Sequence, residues 1–259
     1  MSTADVTLAP SVGGRALPWV AAGVLTLAFL CTEHQLRASQ MDEFGTSQEE
    51  LEQKASKGNV FNQVGFTSLA LLGGTFLVLP GGRPWRLEGV LPVVLLLFLG
   101  WCAASLSWSI DPGRTGKRLV IVLFCLLGAL GIGRRLGPRE LCAVCLAVTA
   151  TFALAGIAIE LALGTFKPWG GDYRFAGTMH PNAQGVNCAL FCLSAVLLLG
   201  GATRARPQLI ALLATGAVLL LLTKSRTSCF GVLLVLAALR GLKKPAGLLL
   251  VLAGVLLAL

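Results

Sequence analysis

The sequence predicts an all-α fold, a polytopic bundle of about nine transmembrane helices. Hydrophobic residues make up 55% of the 259 residues and charged residues only 13%, and the apolar residues collect into long runs. A hydrocarbon core about 30 Å thick takes roughly 20 residues of apolar helix to cross, so such runs are typical of a protein that crosses a membrane many times. The stretches with few or no charges are Leu17–Cys31, Val60–Pro80, Gly89–Trp108, Leu119–Gly133, Leu141–Leu163, Val186–Thr203, Pro207–Thr223, Thr227–Leu239 and Ala246–Leu259.

The first of these stretches predicts an uncleaved membrane anchor. Arg15 precedes a short apolar run, as in a signal peptide, but no small-residue cleavage site follows it. A bulky Leu30 also stands before Cys31, where a lipoprotein-type site needs a small residue. We therefore predict a flexible tail over residues 1–16 and a transmembrane domain over residues 17–259.

The short stretch Thr227–Leu239 has two interpretations. Arg226 and Arg240 flank it, and their long side chains can reach the membrane interfaces and extend the effective span. The alternative is a re-entrant segment that enters and leaves the membrane on the same side. Either interpretation preserves the helical fold class.

The sequence gives no sign of a metal, a cofactor or a nucleic-acid partner. The eight cysteines lie in or beside apolar runs, where cysteine acts as a small hydrophobic residue. Cys142 and Cys145 have a Cys-x-x-Cys spacing, but no second ligand pair accompanies them. Asp111 and Asp172 stand far apart in the sequence, and no nucleotide-binding glycine motif follows a strand.

The connections between nine spans alternate between two faces. With a cytoplasmic start, residues 32–59, 109–118, 164–185 and 224–226 lie outside, and the inner connections are short arginine-rich turns. Basic residues are almost equally numerous on both faces, so charge alone does not fix the orientation. The first outer connection, residues 32–59, is rich in Asp and Glu and predicts a solvated polar excursion.

Cations gather where helices begin at the outer face, near Arg118, Pro181 and Arg226. Free N–H groups and the positive end of the helix dipole make each helix start a weak anion site. The cations at or near these starts are Arg114, Lys117, Arg118, Arg174, Lys224 and Arg226. An anionic partner would balance them, and arginine suits phosphate because it donates two parallel hydrogen bonds. For any single arginine, anchoring among anionic lipid headgroups is an equal alternative.

Two polar blocks concentrate this chemistry, residues 173–185 and residues 224–228. Arg174 and Arg226 lie within them among Gly, Ser and Thr residues, which favours a phosphate ligand over simple anchoring. Asn182 could donate to phosphate or to sugar hydroxyls, or it could cap the helix that follows.

Two further side chains have more than one interpretation. His180 precedes a proline at a helix start, where it could act as a base, contact phosphate or only cap the helix. Glu160 is the one acid inside a predicted span, and an acid within a membrane is a functional candidate by default. It lies near the outer end of its helix, however, so a structural role is equally consistent with its position.

Four short motifs follow one another at alternate helix ends: Ser107-Trp108-Ser109-Ile110-Asp111-Pro112, Arg174-Phe175-Ala176-Gly177-Thr178, His180-Pro181-Asn182 and Ser225-Arg226-Thr227. Over roughly residues 60–259 their order resembles the bacterial O-antigen ligase and O-antigen polymerase superfamily. The resemblance implies a multi-pass glycosyltransferase of the inner membrane that takes a glycan from an undecaprenyl pyrophosphate carrier at the periplasmic face. The implied acceptor is lipid A core, another glycan or a protein.

The resemblance also implies roles for individual residues. The substrate-binding set would be Arg174, Arg226, His180, Asn182, Lys224 and Arg118. Arg174 and Arg226 would be the principal pyrophosphate ligands. With no metal predicted, arginine would offset the charge that develops on the leaving pyrophosphate.

The chain departs from the family pattern in one respect. Family members continue into a large periplasmic loop with an essential histidine, whereas this sequence ends at Leu259 and has only His34 and His180. We expect a partial chain that binds the donor without completing glycosyl transfer. His180 is a weak catalytic candidate, and otherwise the catalytic residues are unknown.

Two other functions are consistent with many spans and a basic face. A transporter or channel for an anionic solute is the first, although no internal repeat of helix pattern, common in secondary transporters, is evident. A noncatalytic membrane scaffold is the second. Binding of a polyprenyl pyrophosphate would distinguish the ligase-like function from both.

Overall fold

A computed structural model describes residues 16–33, 60–84, 89–201 and 205–240. Within these ranges the regular structure is entirely helical, with no β-strand, so the predicted all-α class is confirmed for them. The helices are α1 (Leu17–Glu33), α2 (Val60–Val78), α3 (Val90–Ala104), α4 (Pro112–Arg135), α5 (Pro138–Ala162), α6 (Pro181–Leu199), α7 (Arg206–Leu222) and α8 (Arg226–Arg240). A short 3-10 turn, Ser105–Ser107, follows α3.

Four of these helices, α2, α4, α5 and α6, are long and apolar enough to cross a membrane, with 19 to 25 residues each. The other four, α1, α3, α7 and α8, are apolar but only 15 to 17 residues long. At a rise of 1.5 Å per residue they extend about 23 to 26 Å, less than the roughly 30 Å of a hydrocarbon core. The apolar helices indicate a membrane protein, but the predicted count of about nine spans is not confirmed.

Eight of the nine predicted stretches coincide with α1 to α8. The ninth, Ala246–Leu259, lies outside the described residues. So do nearly all of the predicted tail, residues 1–16, and of the predicted polar excursion, residues 32–59.

The start of α4 differs from the prediction. The apolar run begins at Leu119, whereas the helix begins at Pro112. Asp111 caps it, since its Oδ1 accepts a hydrogen bond from the Arg114 N–H at 2.9 Å, and proline suits the first helical position because it has no N–H to leave unpaired. Hydropathy marks only the apolar part of a helix, so the charged first turns up to Arg118 were predicted as a connection.

The chain folds as two compact units. Unit 1 contains the described residues 16–33, 60–84 and 89–138, and unit 2 contains residues 139–201 and 205–240. Unit 1 therefore holds α1 to α4, and unit 2 holds α5 to α8, with the boundary at the first residue of α5.

In unit 1, α2 packs against both α1 and α4. Glycines allow the backbones of α2 and α4 to touch: a Cβ atom on Gly131 would lie 2.3 Å from the Gly73 carbonyl oxygen, and one on Gly73 would lie 2.2 Å from the Leu127 oxygen. Small residues at helix contacts are typical of membrane proteins, where close backbone approach replaces the hydrophobic effect.

Two arginines at the end of α4 bind the end of α2. Arg135 is only 4% exposed, and it donates to the Phe76 oxygen at 2.9 Å, to the Pro80 oxygen at 2.9 Å and to the Leu79 oxygen. Arg134 donates to carbonyl oxygens of the same region. The last carbonyls of a helix carry partial negative charge and lack partners within the helix. These arginines, predicted as an ordinary inner turn, therefore also have a packing role.

In unit 2, α6 packs against α7 and α8. A Cβ atom on Gly185 would lie 2.5 Å from the Ser225 Cβ, so α6 and α8 are in close contact where both begin. The Asn187 side chain donates to the Thr149 oxygen at 3.1 Å, which joins α6 to α5. The buried core comprises Leu146, Ala153, Phe175, Cys188, Phe191, Cys192, Ala195, Leu209, Leu219, Leu220 and Val232.

Candidate functional site

The 163–180 loop, which joins α5 to α6, is built around Glu160. Only 1% of this residue is exposed. Its Oε1 accepts hydrogen bonds from the backbone N–H groups of Ala176 at 3.0 Å and Gly177 at 2.8 Å, and its Oε2 accepts from the Tyr173 hydroxyl at 2.5 Å. Burying a polar or charged group is costly without such partners. Glu160 therefore has a structural role, the second of the two interpretations that its position allowed.

Gly177 allows this loop to lie directly against α5. Its φ is 60°, a left-handed conformation that favours glycine. A Cβ atom here would lie only 2.7 Å from the Gly156 Cα in α5. Phe175, two residues earlier, is fully buried in the core. The path of the loop is thus set by a carboxylate, two glycines and one aromatic anchor.

Arg174 joins this loop to two helix ends of unit 2. The N–H of the adjacent Phe175 donates to the Leu222 oxygen at 2.8 Å, which holds the loop against the end of α7. Arg174 donates through Nε to the Thr223 oxygen at 3.1 Å and through Nη2 to Asn182 Oδ1 at 3.0 Å. Its half-buried guanidinium is therefore oriented between the end of α7 and the first turn of α6.

The turn from α7 to α8 carries the second polar block. Lys224 has a positive φ of 51°, and its Nζ donates to the Gly171 oxygen in the 163–180 loop. Thr223 is buried, and its Oγ1 accepts from the Ser225 N–H at 3.3 Å. The hydroxyl oxygens of Ser225 and Ser228 lie 2.9 Å apart. These contacts order the turn and join it to the loop.

His180 is the N-cap of α6. Its Nδ1 accepts a hydrogen bond from the Asn182 N–H at 3.3 Å, and Pro181 occupies the first helical position, as predicted. Of the interpretations of His180, capping is the one that the structure shows. Its side chain is exposed, and Nε2 has no hydrogen-bond partner among the residues that the structure describes.

Five of the six predicted substrate-binding residues lie at one end of unit 2: Arg174, His180, Asn182, Lys224 and Arg226. Arg226 is the exposed first residue of α8 and follows the ordered turn directly. Arg118 belongs to unit 1, where it lines a cavity between α2 and α4. Its participation in the same site remains a prediction.

Several residues that build this site had no functional signal in the sequence. The carbonyls of Leu222 and Thr223 belong to this group, as does Gly156. A glycine inside an apolar helix was the only local hint, since glycine there often marks a close approach. Gln184, which lies within the first polar block, is fully buried, and its Oε1 has no partner in the described part of the chain.

Cationic side chains and helix starts meet at this end of unit 2. Three cations stand beside the N-termini of α6 and α8, where free N–H groups also attract negative charge. Within the described ranges, no group of three or more His, Cys, Asp or Glu side chains could hold a metal ion. Comparisons with protein-family models, curated proteins and solved structures find no match for this chain.

Proposed function

We propose that this chain is an O-antigen ligase-like protein of the bacterial inner membrane. In this proposal, the end of unit 2 that carries Arg174 binds an undecaprenyl-pyrophosphate-linked glycan at the periplasmic face, for transfer during cell-surface polysaccharide assembly. The observation that carries the proposal is the placement of Arg174, whose guanidinium is oriented by Thr223 and Asn182 at 3.1 and 3.0 Å.

The hydrogen bonds of Arg174 explain how it could serve a phosphate. The Thr223 carbonyl and the Asn182 amide oxygen are neutral acceptors that hold the guanidinium in one orientation. An oriented guanidinium loses less conformational freedom when it binds phosphate, which favours a bidentate contact. Glu160, the buried acid nearby in the fold, directs its carboxylate to the loop backbone and Tyr173.

The remaining residues would complete the contact. Lys224 and Arg226 add positive charge at the start of α8, and Asn182, whose Oδ1 accepts from Arg174, has its Nδ2 group as a donor for phosphate or sugar oxygens. His180 would hold the first turn of α6 in place by capping it. The arginines would then offset the charge that develops on the pyrophosphate as the glycan leaves.

The test is carrier-lipid binding by the purified chain in nanodiscs. Charge-assisted hydrogen bonds contribute roughly 1.5 to 3 kcal/mol each, so Arg174→Ala and Arg226→Ala should each weaken undecaprenyl pyrophosphate binding about tenfold or more. Lysine should rescue only in part, because an ammonium lacks the two-pronged geometry.

Arg206→Ala is the matched control for Arg226→Ala. Arg206 is also an exposed arginine at the first residue of a helix, α7, but it lies at the end of unit 2 away from the 163–180 loop. Equal losses in all three variants would indicate general headgroup anchoring and contradict the proposal. Anion flux through vesicles without carrier binding would instead identify a transporter or channel, and the absence of both would favour a scaffold.

A further inference from the structure

Unit 1 contains a cavity of about 600 Å³ between the first halves of α2 and α4. Its volume falls within the range of roughly 300 to 1,000 Å³ that is common for ligand sites. Arg114, Lys117 and Arg118 line it from α4. Residues three and four positions apart lie on the same face of a helix, so the early start of α4 places these cations side by side.

The charged side chains among the described residues that line this cavity are all cationic. No carboxylate occurs among the described residues that line it. Asp111 lies beyond the lining, where it caps α4 and pairs with Arg114, with Oδ2 and Nε 3.6 Å apart and both side chains well exposed. Lys117 and Arg118 follow one turn later. An anion is therefore the ligand that best matches the charge.

The facing wall, from α2, supplies hydrogen-bond donors. Asn62, Gln63 and Thr67 line the cavity opposite the cations, and their amide and hydroxyl groups can donate to phosphate oxygens. α2 and α4 run in the same direction, since residues near both starts share this cavity and residues near both ends are hydrogen-bonded. The positive ends of both helix dipoles thus lie at this end of unit 1.

The rest of the lining is apolar. Phe66 contributes from α2, and Ile121 and Phe124 contribute from the third and fourth turns of α4. Both helices are long and apolar enough to cross a membrane, so this wall continues toward the hydrocarbon region. A free phosphate ion would contact only the cationic and polar lining. A lipid would contact that lining through its headgroup and the apolar lining through its acyl chains.

We infer that this cavity binds an anionic phospholipid. The phosphate lies between the Lys117 and Arg118 side chains and the donors of α2, and the start of the acyl chains packs against Phe66 and Phe124. Basic pockets between transmembrane helices are a recognised setting for lipid headgroups. Arg118 then serves a site in unit 1 that is separate from the proposed carrier site, and the inference holds whether or not unit 2 binds the carrier.

The test compares phospholipid retention by the full chain in native mass spectrometry. Phosphatidylglycerol should remain bound and phosphatidylcholine should not. The double variant Lys117→Gln/Arg118→Gln should weaken phosphatidylglycerol retention at least about tenfold, because two charge-assisted contacts are lost. Thr67→Trp should also weaken it, since an indole would fill the cavity without changing its charge.

The control is Arg139→Gln/Arg206→Gln, which removes the same charge from exposed arginines of unit 2 and should preserve retention. Equal losses in both double variants would indicate general surface electrostatics and overturn the inference. Unchanged retention in Thr67→Trp would place the lipid outside the cavity, and displacement by excess inorganic phosphate would identify a free ion as the ligand. The Lys117→Gln/Arg118→Gln variant should still bind undecaprenyl pyrophosphate. Loss of that binding would mean that Arg118 contributes to carrier binding, and it would contradict a separate lipid site.

Discussion

Arginines lie at both kinds of helix end in this protein, and their surroundings differ. Arg135 lies at the end of α2, where it is buried and donates to three carbonyl oxygens. There the negative end of the helix dipole stabilises a cation. Arg226 lies at a helix start, where the same dipole disfavours a cation, whereas Arg174 lies between the end of α7 and the start of α6. Burial and local field thus assign Arg135 to packing, and the local field supports the proposed ligand-binding role of Arg226.

At the same scale, we predict that His180 acts through its cap. His180→Ala removes the acceptor for the Asn182 N–H and should lower the free energy of unfolding by about 0.5 to 2 kcal/mol. His180→Asn should preserve stability and carrier binding, because asparagine is among the best N-cap residues. Thermal unfolding and carrier-lipid binding of both variants check this.

The asparagine variant also separates capping from chemistry. A base must carry an imidazole or an equivalent group within about 3 Å of the acceptor hydroxyl, and asparagine cannot replace it. If His180→Asn retained its melting temperature but lost carrier binding or glycan transfer, the imidazole itself would be functional, and a role limited to capping would be wrong.

At the scale of elements, the candidate site depends on how the 163–180 loop meets three helices. Glu160 binds the loop backbone from α5, the Leu222 carbonyl holds it from α7, and Asn182 reaches Arg174 from α6. Arg174 has no helix of its own to position it. Its orientation is therefore a consequence of loop packing. A change that moves the loop should also weaken carrier-lipid binding.

Gly177→Ala tests this dependence. The left-handed φ of 60° disfavours alanine, and its Cβ would meet the Gly156 Cα at 2.7 Å. We expect the free energy of unfolding to fall by about 1 to 3 kcal/mol from the backbone conformation alone, with weaker carrier binding. Thermal unfolding and the binding assay provide the measurement.

Gly171→Ala is the matched control in the same loop. A Cβ atom at Gly171 meets nothing within 4 Å, so stability and binding should change little. Wild-type stability in Gly177→Ala would mean that the loop does not approach α5 as described. If the variant were destabilised but bound the carrier with unchanged affinity, the role of Arg174 in binding would not depend on the loop packing.

At the scale of the whole molecule, unit 2 has two chemically distinct ends. The candidate site occupies the end where α5 and α7 finish and where α6 and α8 begin. At the other end, Arg139 donates to the Gly201 oxygen beyond the end of α6, at 3.1 Å. α5 joins the two ends with 25 residues, or roughly 37 Å of helix, which is enough to cross a membrane.

We therefore predict that reporters fused at Gly171 and at Arg139 lie on opposite sides of the membrane. The expected orientation is periplasmic for Gly171 and cytoplasmic for Arg139. It rests on the arginine-rich turns and on the resemblance to O-antigen ligases, because the overall number of basic residues does not decide it. The reverse orientation would contradict a periplasmic carrier site, and reporters on one side would contradict a membrane-spanning α5.

The sequence by itself determined the helical fold class and most helix positions. Runs such as Leu141–Leu163 and Val186–Thr203 are local and apolar, and helix formation in them needs no partner from elsewhere in the chain. Pro181 marked a helix start for the same local reason. The start of α4 was missed because its first turns are charged, and only the Asp111 cap shows that the helix includes them.

Tertiary structure alone decided which residues meet. Arg174 and the Thr223 carbonyl are 49 positions apart, and no periodicity links them. The partners of Glu160 and the placement of Arg118 in unit 1 likewise depend on how distant segments pack. The physical reason is that a helix is stabilised by bonds between near neighbours in sequence, whereas a site is formed by contacts between side chains and backbone groups from separate elements.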